Sequence, residues 1–313
     1  MKVDGSRIAG GLAVVGDWPL VGLDGHLLGS GQAAVAVLLA WASALAPTLA
    51  FAAVGWLGSV AFGRSPLGLV MPALLALLLQ VAQILPLPVV VRAALPTYAF
   101  VAWRGLFTDP AQTGPLVVGV IVSLAWAAAA SALAYALFMR RDFTDVAYDG
   151  VDRGIVVWAV LPLATLLVVT VGVIAAATPA TGFGIDKAKL DGSLATTYAH
   201  LYRMQTAELH RPGVTEAQLH SSASCDKGGS RVEDIGPGND WRCVVTWRLP
   251  GSSASGSAIY QLDVTPDGRY AADGDGPQAV NGFFQVRTPT GDAPNPLWQF
   301  DGFVDLLAST SKG

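Results

Sequence analysis

Acidic residues are missing from the chain between Gly25 and Thr108, and across that stretch only Arg64, Arg92 and Arg104 are basic. Charged residues make up 13% of the whole, about half the roughly 25% of an ordinary soluble domain. The deficit excludes a conventional soluble surface for the first half of the chain. Cysteine is scarce as well: there are two, Cys225 and Cys243, too few for a cysteine zinc cluster. No run of basic residues interleaved with aromatics occurs, and the net charge is a mild -4. Nucleic acid is therefore not an expected partner. The chain also has no phosphate-binding Walker loop, no Gly-x-Ser-x-Gly elbow and no His-Glu-x-x-His pair. No enzyme, metal site or cofactor is read from it.

What is present in the first half is apolar sequence. A helix needs about 20 mostly apolar residues to cross a bilayer core. Four runs qualify: 32–60, 67–91, 115–139 and 155–177. None contains an internal Asp, Glu, Lys or Arg. Buried helices of a soluble core would carry amphipathic faces, which these runs lack. Pro47, Pro72, Pro86, Pro88 and Pro162 fall within them, as membrane bundles tolerate when neighbours satisfy the freed carbonyls. The Pro86-Leu-Pro88 sequence is expected to end the regular part of the second helix. Gln80 and Gln83 are the strongly polar side chains of that run, suited to hydrogen bonds across helices. Between the second and third runs, residues 92–114 hold Tyr98, Phe100, Trp103 and Phe107. Such rings favour the headgroup depth, so this segment reads as an interfacial or partly re-entrant helical element.

From Lys187 onward the charge density is ordinary. Leu190, Leu194, Tyr198, Leu201 and Met204 share one face of a helix over 187–209. The stretch SSASCDKGGS (221–230) reads as a loop. Residues 241–249 alternate, with Cys243, Val245, Trp247 and Leu249 on one face. Residues 257–265 alternate likewise, and Pro266-Asp267-Gly268 follows as a turn. Residues 281–288 are a further expected strand, and a short helix is expected within 295–310. The sum is a small α+β domain, one helix on an antiparallel sheet. Asp273-Gly-Asp275 resembles the start of a calcium loop but lacks the later ligands, and it reads as a solvated turn. His200, His210 and His220 form no evident ligand set.

Three segments are expected: an extracytoplasmic N-terminal segment over 1–31, a four-helix transmembrane region over 32–178, and an extracytoplasmic α+β domain over 179–313. Arginines collect on the cytoplasmic side, and Arg140 and Arg141 cluster at the end of the third run. Arg64, Arg140, Arg141 and Arg153 lie on one side, with Lys2, Arg7, Arg92 and Arg104 on the other, so number alone does not decide. Cys225 and Cys243 do. Two cysteines in a secreted-like domain read as a disulfide in an oxidising compartment, the alternative being two unpaired thiols. The C-terminal domain is therefore expected outside, in a multi-pass protein of the plasma membrane.

The stretch from about Asp24 to Asp145 resembles the C-terminal half of ABC-2-type transporter permeases. The residues that carry the resemblance are VAFGRSPLGLV, the proline-rich QILPLP, ALPTYAFVAWRGLFTDP and a span ending in ALFMRRDFTDV. Leu95-Pro96 and Trp103-Arg104-Gly105-Leu106-Phe107 match the outer segment of that family, and Phe138, Arg140, Arg141 and Asp142 its arginine-rich inner end. The chain departs from the pattern by lacking the first three of six spans and by adding a span and an outer domain. The resemblance implies ATP-driven export with an ATPase subunit and a second membrane chain as partners. Arg64, Arg140 and Arg141 are then candidate contacts to the ATPase, the plainer alternative being anchors beside anionic headgroups. The competing function is a membrane-anchored binding or sensing module, with the outer domain as its working part.

Overall fold

The structure is a computed structural model of the chain, and it describes residues 20–62, 67–140, 153–177, 184–229 and 232–308. The chain forms two compact units. Among the described residues, one is built from those within 38–103 and 113–177, and the other from 20–37, 104–112 and those from 184 onward.

In the helical unit, α1 spans Ser30–Phe62, entering the unit at Leu38, and α2 spans Leu67–Ile84. Short helical pieces follow: α3 at Val89–Ala93, a 3-10 turn at Pro96–Tyr98, α4 at Ala99–Ala102, and a 3-10 turn starting at Trp103. Then come α5 at Gly114–Arg140 and α6 at Arg153–Ala177. Among the described residues, two helical stretches are long and apolar enough to cross a bilayer, Ser30–Ala61 and Gly114–Arg140. Pro72–Ile84 and Val160–Ala176 are shorter apolar stretches. Large apolar side chains face outward on all four helices, including Leu38, Trp41, Leu78, Ile121 and Val168. Exposed apolar area of this extent marks a surface that meets a membrane or another protein.

Small residues let these helices approach. Ala53, Val54, Leu57 and Ala61 of α1 pack with Ala130 and Ala134 of α5, and Leu75 and Leu163 close the cluster. Gly119 of α5 sits against α4: a Cβ there would lie 2.9 Å from the Ala99 Cα. Close backbone approach of this kind is the usual packing device where the solvent is as apolar as the side chains.

In the sheet unit, β1 (Leu20–Val21) and β2 (Leu27–Leu28) make a short hairpin ahead of α1. Helix α7 spans Lys187–Glu208, and the Asp186 side chain caps it by accepting the Lys189 N–H at 2.9 Å. A five-stranded antiparallel sheet follows in the order β3 (His220–Lys227), β4 (Gly238–Arg248), β5 (Ser255–Val264), β6 (Arg269–Gly274), β9 (Gln299–Phe303). Between β6 and β9 lie α8 (Gln278–Asn281) and a separate hairpin of β7 (Gln285–Thr288) and β8 (Gly291–Pro294). Helix α7 packs against β3, β4 and β9. Its Leu190, Leu194, Tyr198 and Leu201 are buried with Trp241, Val245, Tyr260, Leu262, Val264 and Tyr270 of the sheet. The expected helix on an antiparallel sheet is present.

Four local expectations fail. The solvated turn expected at Asp273-Gly-Asp275 is in its first two residues the end of β6, where Asp273 and Gly274 pair with Gln261 and Tyr260 of β5. The segment expected as a loop at 221–230 is largely strand β3, because its alternation places Cys225 in the core opposite Cys243. The helix expected within 295–310 is replaced by β9, which completes the sheet by pairing with β6. The strand expected over 281–288 is shorter and lies in its own hairpin. Asn281 ends α8 and ties to β5 through Ile259 instead, accepting its N–H at 3.1 Å and donating to its carbonyl at 2.8 Å.

Candidate functional site

In the sheet unit, three distant segments meet at Asp24. The first is the turn of the β1–β2 hairpin, residues 22–26. Its Gly25 has φ of 78°, a conformation that glycine adopts without steric cost. A Cβ at Gly25 would lie 2.7 Å from Leu201 Cδ2 on α7, so both conformation and space demand glycine. At Gly22 a Cβ would stand 2.6 Å from the Phe107 carbonyl oxygen. The second segment is 104–112, closed on itself by the Gln112 N–H donating to the Gly105 carbonyl at 2.7 Å. The third is α7 with the loop after it.

Asp24 joins them, and it is only 5% exposed. Its Oδ1 is hydrogen-bonded to His26 Nδ1. Its Oδ2 accepts the Asp109 N–H at 2.8 Å, while the Leu23 N–H donates to the Phe107 carbonyl at 2.8 Å. Its own carbonyl lies 3.0 Å from His200 Nδ1. A carbonyl can only accept, so His200 carries a proton on Nδ1 and presents Nε2 to the far side. There Glu216 Oε2 stands at 4.0 Å, and Glu216 Oε1 pairs with Arg203 at 2.8 Å. The two imidazole rings are 5.8 Å apart.

The electrostatics follow from burial against partners. Burial pushes the Asp24 carboxyl up, but the His26 hydrogen bond, the Asp109 N–H and the charges of His26 and His200 outweigh it, and the net direction is down. Burial pushes His26 down, but the Asp24 hydrogen bond and the charges of Asp24, Asp109 and Glu216 outweigh it, and the net direction is up. Both shifts favour the ion pair.

A second tie holds segment 104–112. Arg104 Nη1 pairs with Asp267 Oδ2 in the β5–β6 turn. Asp267 also pairs with Arg269 Nε at 3.1 Å and lies 2.5 Å from Thr265 Oγ. Burial raises the Asp267 pKa, but the Thr265 hydrogen bond and the charges of Arg269 and Arg104 bring it below the ordinary carboxylate value.

The helical unit has a polar cluster of its own. Side chains of α2 and α5 engage carbonyls of the broken segment after α2. Gln83 Nε2 donates to the Arg92 carbonyl at 3.1 Å and to Thr97 Oγ1 at 3.0 Å. Trp126 Nε1 donates to the Ala94 carbonyl at 3.1 Å, and Ser123 Oγ to the Pro96 carbonyl at 2.9 Å. Arg92, itself buried, donates to the carbonyls of Leu87 at 3.2 Å and Gln83 at 3.4 Å. The expectation for Gln83 holds. Gln80 is exposed instead and lines an open, mostly apolar groove with Thr48, Phe51 and Leu77.

Cys225 and Cys243 form a disulfide between directly opposed residues of β3 and β4, with Cα atoms 4.0 Å apart. Arg140 is the exposed last residue of α5. Arg64 and Arg141 lie outside the described residues. No group of three or more metal-ligating side chains stands ready for an ion among the described residues. Asp24 and His26 were missed in the sequence, where they read as part of an unremarked N-terminal segment. The available signal was their spacing of two, Asp24 to His26, across Gly25 and ahead of a region almost free of charge. No family model matches this chain, nor does any curated protein or solved structure.

Proposed function

We propose that the chain is a four-span subunit of the plasma membrane with its sheet unit on the extracytoplasmic side. Chain connectivity supports this reading. The chain leaves the sheet unit along α1 and returns at Arg104, with α1 and α2 between. It leaves again at Gln112 and returns at Gly184, with α5 and α6 between. Each excursion must therefore cross the bilayer an even number of times. If α1 crosses, α2 must bring the chain back, because Asp24 bonds to Asp109. If α5 crosses, α6 must do the same, because Arg104 bonds to Asp267. Helix α2, at 18 residues, reaches about 27 Å, close to the roughly 30 Å of a hydrocarbon core. The disulfide supports an oxidising compartment for the sheet unit.

Within that topology the chain acts as a permease-like subunit of an ABC-type export system, working with a separate ATPase and a second membrane chain. The observation that carries the transport reading is the broken segment from Val89 to Ala102, with carbonyls bonded by Gln83, Trp126 and Ser123 and with its own Arg92 buried. Irregular backbone inside an apolar bundle is kept where it is enclosed by protein or lines a pathway, and buried ionisable groups there mark function more often than tethering. One span would suffice for a tether. Affinity purification in several mild detergents tests the reading: an ATPase and a second membrane chain are expected to co-purify, and recovery of neither sinks it.

A second reading has its own observation. The segments leading into α1 and α5 are bonded to α7 and to the β5–β6 turn, as a domain that senses an outside signal and passes it to helices would require. In that case the purified chain stands alone and a ligand of the sheet unit changes the docking of those segments.

A further inference from the structure

We propose that Asp24, His26 and His200 form a proton-operated latch: with His26 protonated, residues 22–26 and 104–112 are fastened to α7, and loss of that proton releases them. The proposal concerns the sheet unit and does not depend on what the chain transports.

Asp24 is the pin of the latch. Its carboxylate holds His26 and the Asp109 N–H at once, and its carbonyl holds His200 of α7. The titratable and charged groups facing the pair are Asp109 from segment 104–112, His200 and Arg203 from α7, Glu216 from the loop after α7, and the Tyr270 hydroxyl of β6, which bonds to Thr197. Arg203 is engaged by Glu216, so the positive charge available to Asp24 comes from the histidines, and His26 is the one bonded to the carboxylate. When His26 is neutral, a buried carboxylate remains without that counter-charge. Neutral His26 still donates its Nδ1–H to that carboxylate, but a buried charge without its counter-charge is unfavourable, and the exit for the carboxylate is into water, by undocking the turn.

The direction with pH follows. His26 holds its proton above the ordinary histidine value of 6.5, so the latch is fully closed below that value and loosens as pH rises through the raised one. Asp24 keeps its charge below the ordinary value of 3.8, so acid opens the latch only beneath that. Mild acidity closes it and alkalinity opens it.

Hydrogen–deuterium exchange of the full chain in detergent tests the latch, with rates corrected for the intrinsic pH dependence of amide exchange. The readouts are peptides that contain Leu23 and Asp109, whose N–H groups donate across the docked segments. Their corrected exchange is expected to be several-fold faster at about pH 8.5 than at about pH 5.5, with α7 unchanged. In His26→Gln the exchange is expected to be fast at both pH values. Equal corrected rates in the unaltered chain, or a His26→Gln chain that keeps the pH dependence, overturn the latch. Should that variant fail to fold, the unaltered chain decides by NMR. The His26 ring and the Asp109 amide are then expected to titrate together, at a midpoint above 6.5; separate midpoints, or a ring midpoint at or below that value, overturn it.

Discussion

Asp24 Oδ2 accepts the backbone N–H of Asp109 at 2.8 Å across a separation of 85 residues. These are consecutive acidic residues of the chain, with α1, α2 and the broken helical segment between them. The bond closes the first excursion of the chain through the helical unit, and the Arg104–Asp267 pair ties the same segment to the sheet.

Replacing Asp24 with Asn keeps an acceptor for the Asp109 N–H but removes the charge opposite His26. Breaking a buried pair costs about 3–5 kcal/mol, and part of that is recovered by undocking. The expected result is a lower thermal midpoint for the sheet unit near neutral pH. The same change is expected to abolish the loss of stability that the unaltered chain shows as pH rises through the raised His26 value.

Gly25→Ala places a Cβ at φ of 78° and 2.7 Å from Leu201. The backbone conformation alone costs an L-residue about 1–2 kcal/mol, and the contact adds to it. Gly213→Ala is the control, because nothing lies within 4 Å of its Cβ position and its φ is not positive. Chemical denaturation followed by tryptophan fluorescence is expected to show a clear loss for the first and none for the second.

Much of this arrangement was legible in the sequence, for identifiable reasons. Long apolar runs free of charge specify membrane-type helices locally, so α1 and α5 were found to within a few residues. The face Leu190, Leu194, Tyr198, Leu201 was readable because helical spacing is a local signal. Strand β9 was not, since QFDGF mixes Asp and Gly into a segment flanked by VDLL and owes its extended form to pairing with β6. The latch was invisible because its members come from positions 24, 26, 109, 200 and 216. No local pattern links them, and each alone reads as an ordinary polar residue.

The Arg104–Asp267 pair is half-shielded from solvent, with side chains 24% and 17% exposed. A double-mutant cycle of Arg104→Ala and Asp267→Asn is expected to give a coupling of about 1–3 kcal/mol. The coupling is present above the ordinary carboxylate value of 3.8 and is lost as pH falls through the depressed Asp267 value. Denaturant titrations at several pH values measure it.

The disulfide closes a separation of 18 residues, worth roughly 3 kcal/mol by chain entropy. The chain purified from its membrane is expected to show no free thiol after denaturation. Cys225→Ala with Cys243→Ala is expected to lower the melting midpoint while leaving the helical unit in the membrane.

The account stands or falls on which segments share a side of the membrane. Single cysteines placed at Ser65, Ala111, Thr144 and Gly213 report this directly, since Cys225 and Cys243 are paired with each other. Intact cells are treated with a membrane-impermeant maleimide, before and after permeabilisation. Ala111→Cys and Gly213→Cys are predicted to label from outside, and Ser65→Cys and Thr144→Cys only after permeabilisation. Labelling of position 65 or 144 from the same side as 111, or of 111 and 213 from opposite sides, contradicts the four-span account.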